Sequence, residues 1–285
     1  KYSLSLLLVL CMTVLFFCHL TFFSSSSLNL PSARPPSMSV YKRLRKTFLL
    51  SFIFCSSLAA EPLRFSYWAE AAAPFVFFEG DMLSGGLIKD IGDKLGKTLN
   101  RDVTYLELPT PRIEQFLQSG TLDIDCVTSP IWKETPNAYH WSPVLFDGAD
   151  RFLVRAGTEN EISKFDDIKG RTLGIYNGYV YNPEIMQLIE RGEVATVKVQ
   201  DLKHGAKLLG LGRIDAIIDF GLILKYQLKN KILSENLVLA KQPADQFQLH
   251  CAYSRELNIE NQVIQDAFAA LIESGELQKL LLEYH

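Results

Sequence analysis

Leu117-Gln118-Ser119-Gly120-Thr121-Leu122-Asp123 reads as the end of a helix, a left-handed turn closed on Gly120 and the entry of a strand. Leu211-Gly212-Arg213-Ile214-Asp215 repeats the phrase roughly ninety residues later, with Gly212 at the same point. Working outward from the first copy, residues 63–68 read as a strand and residues 86–99 as a helix. Leu87, Ile88, Ile91, Leu95 and Leu99 fall near helical spacing there. Residues 103–106 read as a strand, 111–118 as a helix and 122–127 as a strand. Around the second copy, strands are expected at 172–176, 195–199 and 214–219, with helices at 183–190 and 202–211. This alternation predicts parallel sheets flanked by helices, and two such runs predict two α/β lobes. A strand at 247–253 and two helices within 259–282 follow, a tail expected to pack back on the first lobe. The chain would then cross between lobes near 146–150 and 243–248. The expected division is 61–147 plus 246–285 for lobe 1 and 148–245 for lobe 2, with a cleft between them suited to a small ligand.

The chain has 285 residues, 48% hydrophobic and 21% charged, enough for one large domain or two modest ones and too apolar for a disordered chain. Its net charge of −3 hides an asymmetry. Residues 1–60 hold six basic side chains and no acid; the remainder holds the other 23 basic and all 32 acidic ones, a net of −9. So acidic a body lacks the Lys/Arg clusters that displace counterions from nucleic acid.

Residues 4–23 form an almost uncharged apolar stretch long enough to span a bilayer. After a Ser- and Pro-rich segment, Met38 opens a second pattern: Lys42, Arg43, Arg45 and Lys46, an apolar run over 48–55, and small residues over 56–60. That is the three-part pattern of a secretory signal peptide over 38–60, with cleavage after Ala59 or Ala60. Met38 is the expected initiator and 1–37 upstream sequence; the rival reading makes 4–23 a membrane anchor. Phe54 before Cys55 argues against lipid attachment. Cys126 and Cys251 are the two cysteines beyond the leader, and an oxidising compartment leaves both a disulfide and two buried thiols open. Neither has metal-ligand spacing to a His, so no metal and no cofactor is expected.

These residues resemble the family 3 periplasmic solute-binding proteins of ABC transporters, the group that includes polar amino acid binders. The resemblance covers roughly residues 62–284. It rests on Leu63-Arg64-Phe65-Ser66-Tyr67-Trp68, Ala73-Pro74-Phe75, Gly86-Leu87-Ile88-Lys89-Asp90-Ile91, the two repeated phrases, Trp141-Ser142-Pro143 and Asp167-Ile168-Lys169-Gly170-Arg171-Thr172-Leu173-Gly174. It implies a two-lobe periplasmic-binding-protein fold whose hinged lobes, each a mostly parallel sheet flanked by helices, close on a small polar solute. It further implies a periplasmic monomer that does no chemistry and delivers its solute to an ABC transporter permease at the inner membrane.

Carried over by position, the resemblance is uneven. The family's carboxylate-clamping Arg falls on Thr135. Thr128 keeps the hydroxyl found earlier in that loop, whereas Pro130 replaces the next. In the second lobe the register of the ammonium-binding Asp falls on Phe220, with Asp219 one residue early, and a shift by one on a strand reverses the face. Arg112 is the candidate replacement clamp: Thr110 reads as an N-cap and Pro111 as the first helical residue, which puts Arg112 in a first turn where the helix dipole disfavours a cation. The alternative is a surface Arg paired with Glu107 or Glu114. Gly178, Tyr179 and Tyr181 precede the Asn182-Pro183 helix start, where backbone N–H groups and aromatic faces suit an oxyanion-bearing ligand; ordinary packing is the alternative for both tyrosines. Trp68 and Trp132 are candidate cleft walls, and Glu70 a candidate partner for a ligand cation.

No catalytic residue is expected, since His140, His204 and His250 show no nucleophile spacing. Two other readings remain. One is a sensor or accessory binding protein. The other is a cyclohexadienyl-dehydratase-like enzyme on the same scaffold, with Glu70 or Asp219 as general acid.

Overall fold

The computed structural model describes residues 61–68, 71–162, 164–241 and 243–284. The leader readings over 1–60 and the candidate Glu70 lie outside the described residues. Among the described residues no helix is long and apolar enough to cross a membrane, and no group of three or more His, Cys, Asp or Glu side chains is placed to hold a metal ion.

The first run of elements is β1 (Leu63–Trp68), the hairpin β2 (Phe77–Glu79) and β3 (Met82–Gly85), α1 (Leu87–Leu99), β4 (Val103–Leu108), α2 (Thr110–Gln118) and β5 (Ile124–Thr128). Parallel pairing of β1 with β4 and β5 makes the first sheet. The apolar stripe of α1 is buried through Leu87, Ile88, Ile91 and Leu95, as its spacing requires. Thr110 is not the cap: Pro109 takes that position, Thr110 is the first helical residue, and no side chain caps the helix. With Pro at positions 109 and 111 fixing the backbone on both sides, Thr110 is carried into the first turn.

The second run comprises β7 (Phe146–Arg155), β8 (Thr172–Tyr176), α3 (Pro183–Glu190), β9 (Ala195–Val199), α4 (Leu202–Gly210), β10 (Ala216–Phe220), α5 (Gly221–Lys229) and β11 (Leu237–Leu239), after the short β6 (His140–Trp141). Here β8 pairs in parallel with β9 and β10, and β7 runs antiparallel to β10 and β11. Helix α5 has no counterpart in the sequence reading. It opens on a glycine and buries Leu222, Ile223 and Leu224 consecutively, so no helical period is visible in its first turns.

The strand β12 (Asp245–Tyr253) joins the two runs. Its first half pairs with β7, Asp245 opposite Asp150 through Leu249 opposite Phe146, and its second half pairs with β5. The sheet order is therefore β4-β1-β5-β12-β7-β10-β8-β9. Helices α6 (Asn261–Glu273) and α7 (Glu276–Tyr284) end the chain and pack on α1 in the first lobe's core. Cys126 of β5 and Cys251 of β12 are buried partners in register and form a disulfide that closes 125 residues of chain.

The repeated phrase does the same work twice. Gly120 and Gly212 both take the left-handed conformation, φ 67° and 68°. The following acid then receives a backbone N–H from the neighbouring parallel strand: Arg64 donates to Asp123 at 2.8 Å, and Thr172 to Asp215 at 2.9 Å. Each acid also meets an arginine that binds turn carbonyls, Arg64 on Gly120 and Arg155 on Leu209 and Ile214.

Candidate functional site at the facing strand ends

In open α/β sheets ligands bind beyond the carboxyl ends of the strands. In the first lobe those ends are Trp68, Leu108 and Thr128. Trp68 is half-buried and its ring lies 5.4 Å from that of Phe75. Beyond Leu108, Arg112 is exposed, and its guanidinium has no hydrogen-bond or ion-pair partner among the described residues. Glu107 instead accepts from the Tyr67 hydroxyl, and Glu114 from that of Tyr139. The pairing of Arg112 with either acid is thus not formed.

Thr128 is buried at the end of β5 and follows Val127, whose φ of 60° is a strained value for a β-branched residue. A register shift between His250 and Cys251 of β12 accompanies it. The strain turns the chain into the Pro130–Trp132 turn, where Trp132 meets Phe247 edge-on at 4.7 Å. The next residue, Lys133, is the one cation of this loop, and it is committed inward. Its ammonium lies 3.0 Å from Asp125, whose other oxygen accepts from Ser66 at 2.8 Å. Burial works against the Lys133 charge, but the Asp125 carboxylate outweighs it and raises the pKa. Lys133 therefore braces the loop.

In the second lobe the strand ends are Tyr176 and Phe220. Asp219 is buried, with one oxygen accepting from the Phe220 N–H at 2.7 Å. Burial pushes its carboxyl up to about 6, against the pull of that N–H and of Tyr176. The buried Tyr176 hydroxyl lies beside Asp219 but meets hydrogen-bond geometry with no protein group among the described residues. Asp150, at the β7 end of the β7–β12 ladder, accepts from the Tyr179 hydroxyl at 2.6 Å. Burial raises Asp150 to about 7; Tyr179 opposes the shift, while Asp219 and Asp245 add to it. Neither Asp150 nor Asp219 has a cationic partner among the described residues.

The structure brings Tyr179, Tyr181 and Asp219 together in this lobe. Tyr179 and Tyr181 rings lie 4.8 Å apart, and the Tyr181 hydroxyl accepts from the Tyr176 N–H at 2.7 Å, so Tyr181 is a packing residue as well as a candidate. Gly178 has φ 80° with open space around it, so its backbone conformation, rather than crowding, calls for glycine. Across the lobes, Phe75 meets Phe220 at 5.2 Å and Phe220 meets Phe247 at 5.6 Å. This aromatic bridge, with Tyr176 and Asp150, escaped the sequence reading.

No family model matches the chain. Over 150 residues it is 27% identical to the L-cystine-binding protein TcyJ of Escherichia coli (strain K12), covering 51% of this chain and 54% of that protein. The chain thus spans about half the length of the curated relatives it matches. An ancestral arginine-binding protein bound to arginine superposes with a TM-score of 0.65 at 19% identity, covering 79% of this chain and 99% of that one. The amino acid ABC transporter substrate-binding protein AbpA from Streptococcus pneumoniae, bound to L-arginine, superposes at 0.63 and 16% identity, covering 78% and 94%. The fold is that of the two-lobe periplasmic binding proteins. Within that fold, the facing strand ends described above are where the two lobes meet.

Proposed function

We propose that this chain is an exported, non-enzymatic solute-binding protein of the periplasm. It captures a small amino-acid-like solute between its lobes and delivers it to an ABC transporter permease. The lobes are 61–147 with 246–285, and 148–245, hinged on the β7–β12 ribbon. One observation carries the ligand class: the strand ends have opposite charge. Among the described residues, lobe 1 presents an Arg112 cation without a partner, and lobe 2 holds Asp150 and Asp219 without a cation to neutralise them. A solute with a carboxylate for Arg112 and an ammonium for the acidic side satisfies both ends, gaining charge-assisted hydrogen bonds at each. Thr128, Trp68, Trp132 and the Gly178–Tyr179 segment complete the walls, with Tyr181 as a further candidate contact, and the sequence adds Glu70 as a candidate partner for a ligand cation.

Because contacts come from both lobes, the ligand favours the closed arrangement by its differential affinity. Thermal-shift and calorimetric titration with L-cystine, L-arginine and L-glutamate test the reading. Binding of one of them by the wild type, weakened in both Arg112→Gln and Asp219→Asn, supports it. Protein that releases no small molecule on denaturation and answers to none of the three sinks it.

The raised carboxyls of Asp150 and Asp219 favour one second reading, in which an acid of the cleft donates a proton to a bound substrate as in the dehydratase-like enzymes. Incubation with prephenate-like acids separates the two, since only an enzyme changes their mass.

A further inference from the structure

Asp150 and Asp245 face each other across the antiparallel β7–β12 ladder. Directly opposed residues of such a ladder share a face, and like charges there are unfavourable. Arg151 next to Asp150 does not relieve them, because its guanidinium donates to the Ala240 and Lys241 carbonyls. Each acid instead holds one point of the same loop, Asp150 its middle and Asp245 its end. Asp150 accepts from the Tyr179 hydroxyl at 2.6 Å, and Asp245 accepts from the Asn182 amide at 2.7 Å. Asn182 also caps α3, its side-chain oxygen receiving the Glu184 N–H. Between these ties Tyr181 packs into the lobe's core and accepts the Tyr176 N–H, and the rest of the loop is open. Asn177, Gly178 and Val180 are exposed, and nothing packs on Gly178.

We propose that Asp150 and Asp245 are positioning residues. They pin the middle and the far end of the 177–182 loop, at Tyr179 and Asn182, to the ribbon that crosses between the lobes, so that the second lobe's ligand loop is set by the hinge strands. The role rests on the binding-protein reading, and it explains why two acids are kept at one ladder position. Hinge closure then carries the loop to the ligand as part of the same movement.

Hydrogen exchange of the ligand-free protein, purified as released by an exporting host, tests the pins directly. Loss of one such hydrogen bond should speed exchange of the 177–182 amides by about tenfold in Tyr179→Phe and Asp150→Ala. Residues 195–199 in the same lobe should be unchanged. Asp150→Asn keeps an acceptor oxygen and should restore protection, and Asp245→Ala should release 182–184. Unchanged exchange at 177–182 in both Tyr179→Phe and Asp150→Ala overturns the proposal, as does an equal rise throughout the lobe. L-cystine and L-arginine titrations form the second arm. A Kd weakened in Asp245→Ala and restored in Asp245→Asn, which keeps an acceptor oxygen for Asn182, supports the coupling; a wild-type Kd in a variant with a loosened loop overturns it. Should the wild type bind neither probe, the binding reading fails for these ligands while the exchange result still decides the pins.

Discussion

Asp123 and Asp215 occupy the same point of the two lobes, each receiving the backbone N–H of the parallel strand beside it. The surroundings differ. Asp123 is buried and takes both nitrogens of the Arg64 fork at 2.9 and 2.6 Å, whereas Asp215 is about one-third exposed and meets Arg155 at 3.3 Å. The first lobe is also stapled by Cys126–Cys251, with a buried Lys133–Asp125 pair close by. In the second lobe the buried carboxylates Asp150 and Asp219 have no such cation among the described residues. The first lobe commits its buried acids to cations; among the described residues the second leaves two buried acids without one. The shared turn is therefore architecture, and the proposed ligand site rests on the difference at the strand ends.

The largest effect that separates the lobes should come from the staple. Replacing both cysteines, Cys126→Ala with Cys251→Ala, relaxes a long loop in the unfolded chain and should lower stability by ~5 kcal/mol. Urea unfolding measures it, and a loss below a third of that figure would mean the first lobe does not depend on the staple. Next, Asp123→Ala should cost about 3 kcal/mol and Asp215→Ala about 1 kcal/mol, because the buried acid leaves more donors unpaired. Equal losses in the two variants would break the comparison.

A smaller effect concerns pH. Folded Asp150 and Asp219 have pKa values of about 7 and about 6, above their ordinary carboxylate value. Between roughly pH 4 and pH 7 the folded chain therefore binds more protons than the unfolded one, and stability falls as pH rises through that window. This contribution is full below the ordinary carboxylate pKa and lost above the folded values. Asp150→Asn should flatten the fall and raise ligand-free stability at pH 8 by about 1–2 kcal/mol. A ligand ammonium should restore what ionisation costs, so affinity should increase over the same window; affinity independent of pH would remove the acidic side from the site.

The smallest change in stability is expected for Arg112→Gln, within about 0.5 kcal/mol, since no group among the described residues partners it. Its affinity for a carboxylate-bearing ligand should nonetheless drop about tenfold to a hundredfold. Calorimetry of the variant with the ligand of the wild type sharpens the comparison: a loss of folding without a loss of binding would place Arg112 among the internal ties.

What could be read from residues alone was local. The helical spacing of Leu87, Ile88, Ile91 and Leu95, the alternation of strands and helices, and the left-handed turns at Gly120 and Gly212 each depend on neighbours within a few positions, so the two-lobe α/β fold was legible. Helix α5 was not, because its buried run Leu222-Ile223-Leu224 lacks a period. Candidate site residues were legible by type and loop, but their partners were not. Cys126 and Cys251 are separated by 125 residues, and Asn182 from Asp245 by 63. The opposition of Asp150 to Asp245, the inward commitment of Lys133 and the free guanidinium of Arg112 all follow from strand register and burial. Those are set by pairing between distant segments, where a shift of one residue sends every side chain to the other face. Local chemistry determined the elements; only their tertiary pairing decided which charges were neutralised and which were left for a ligand.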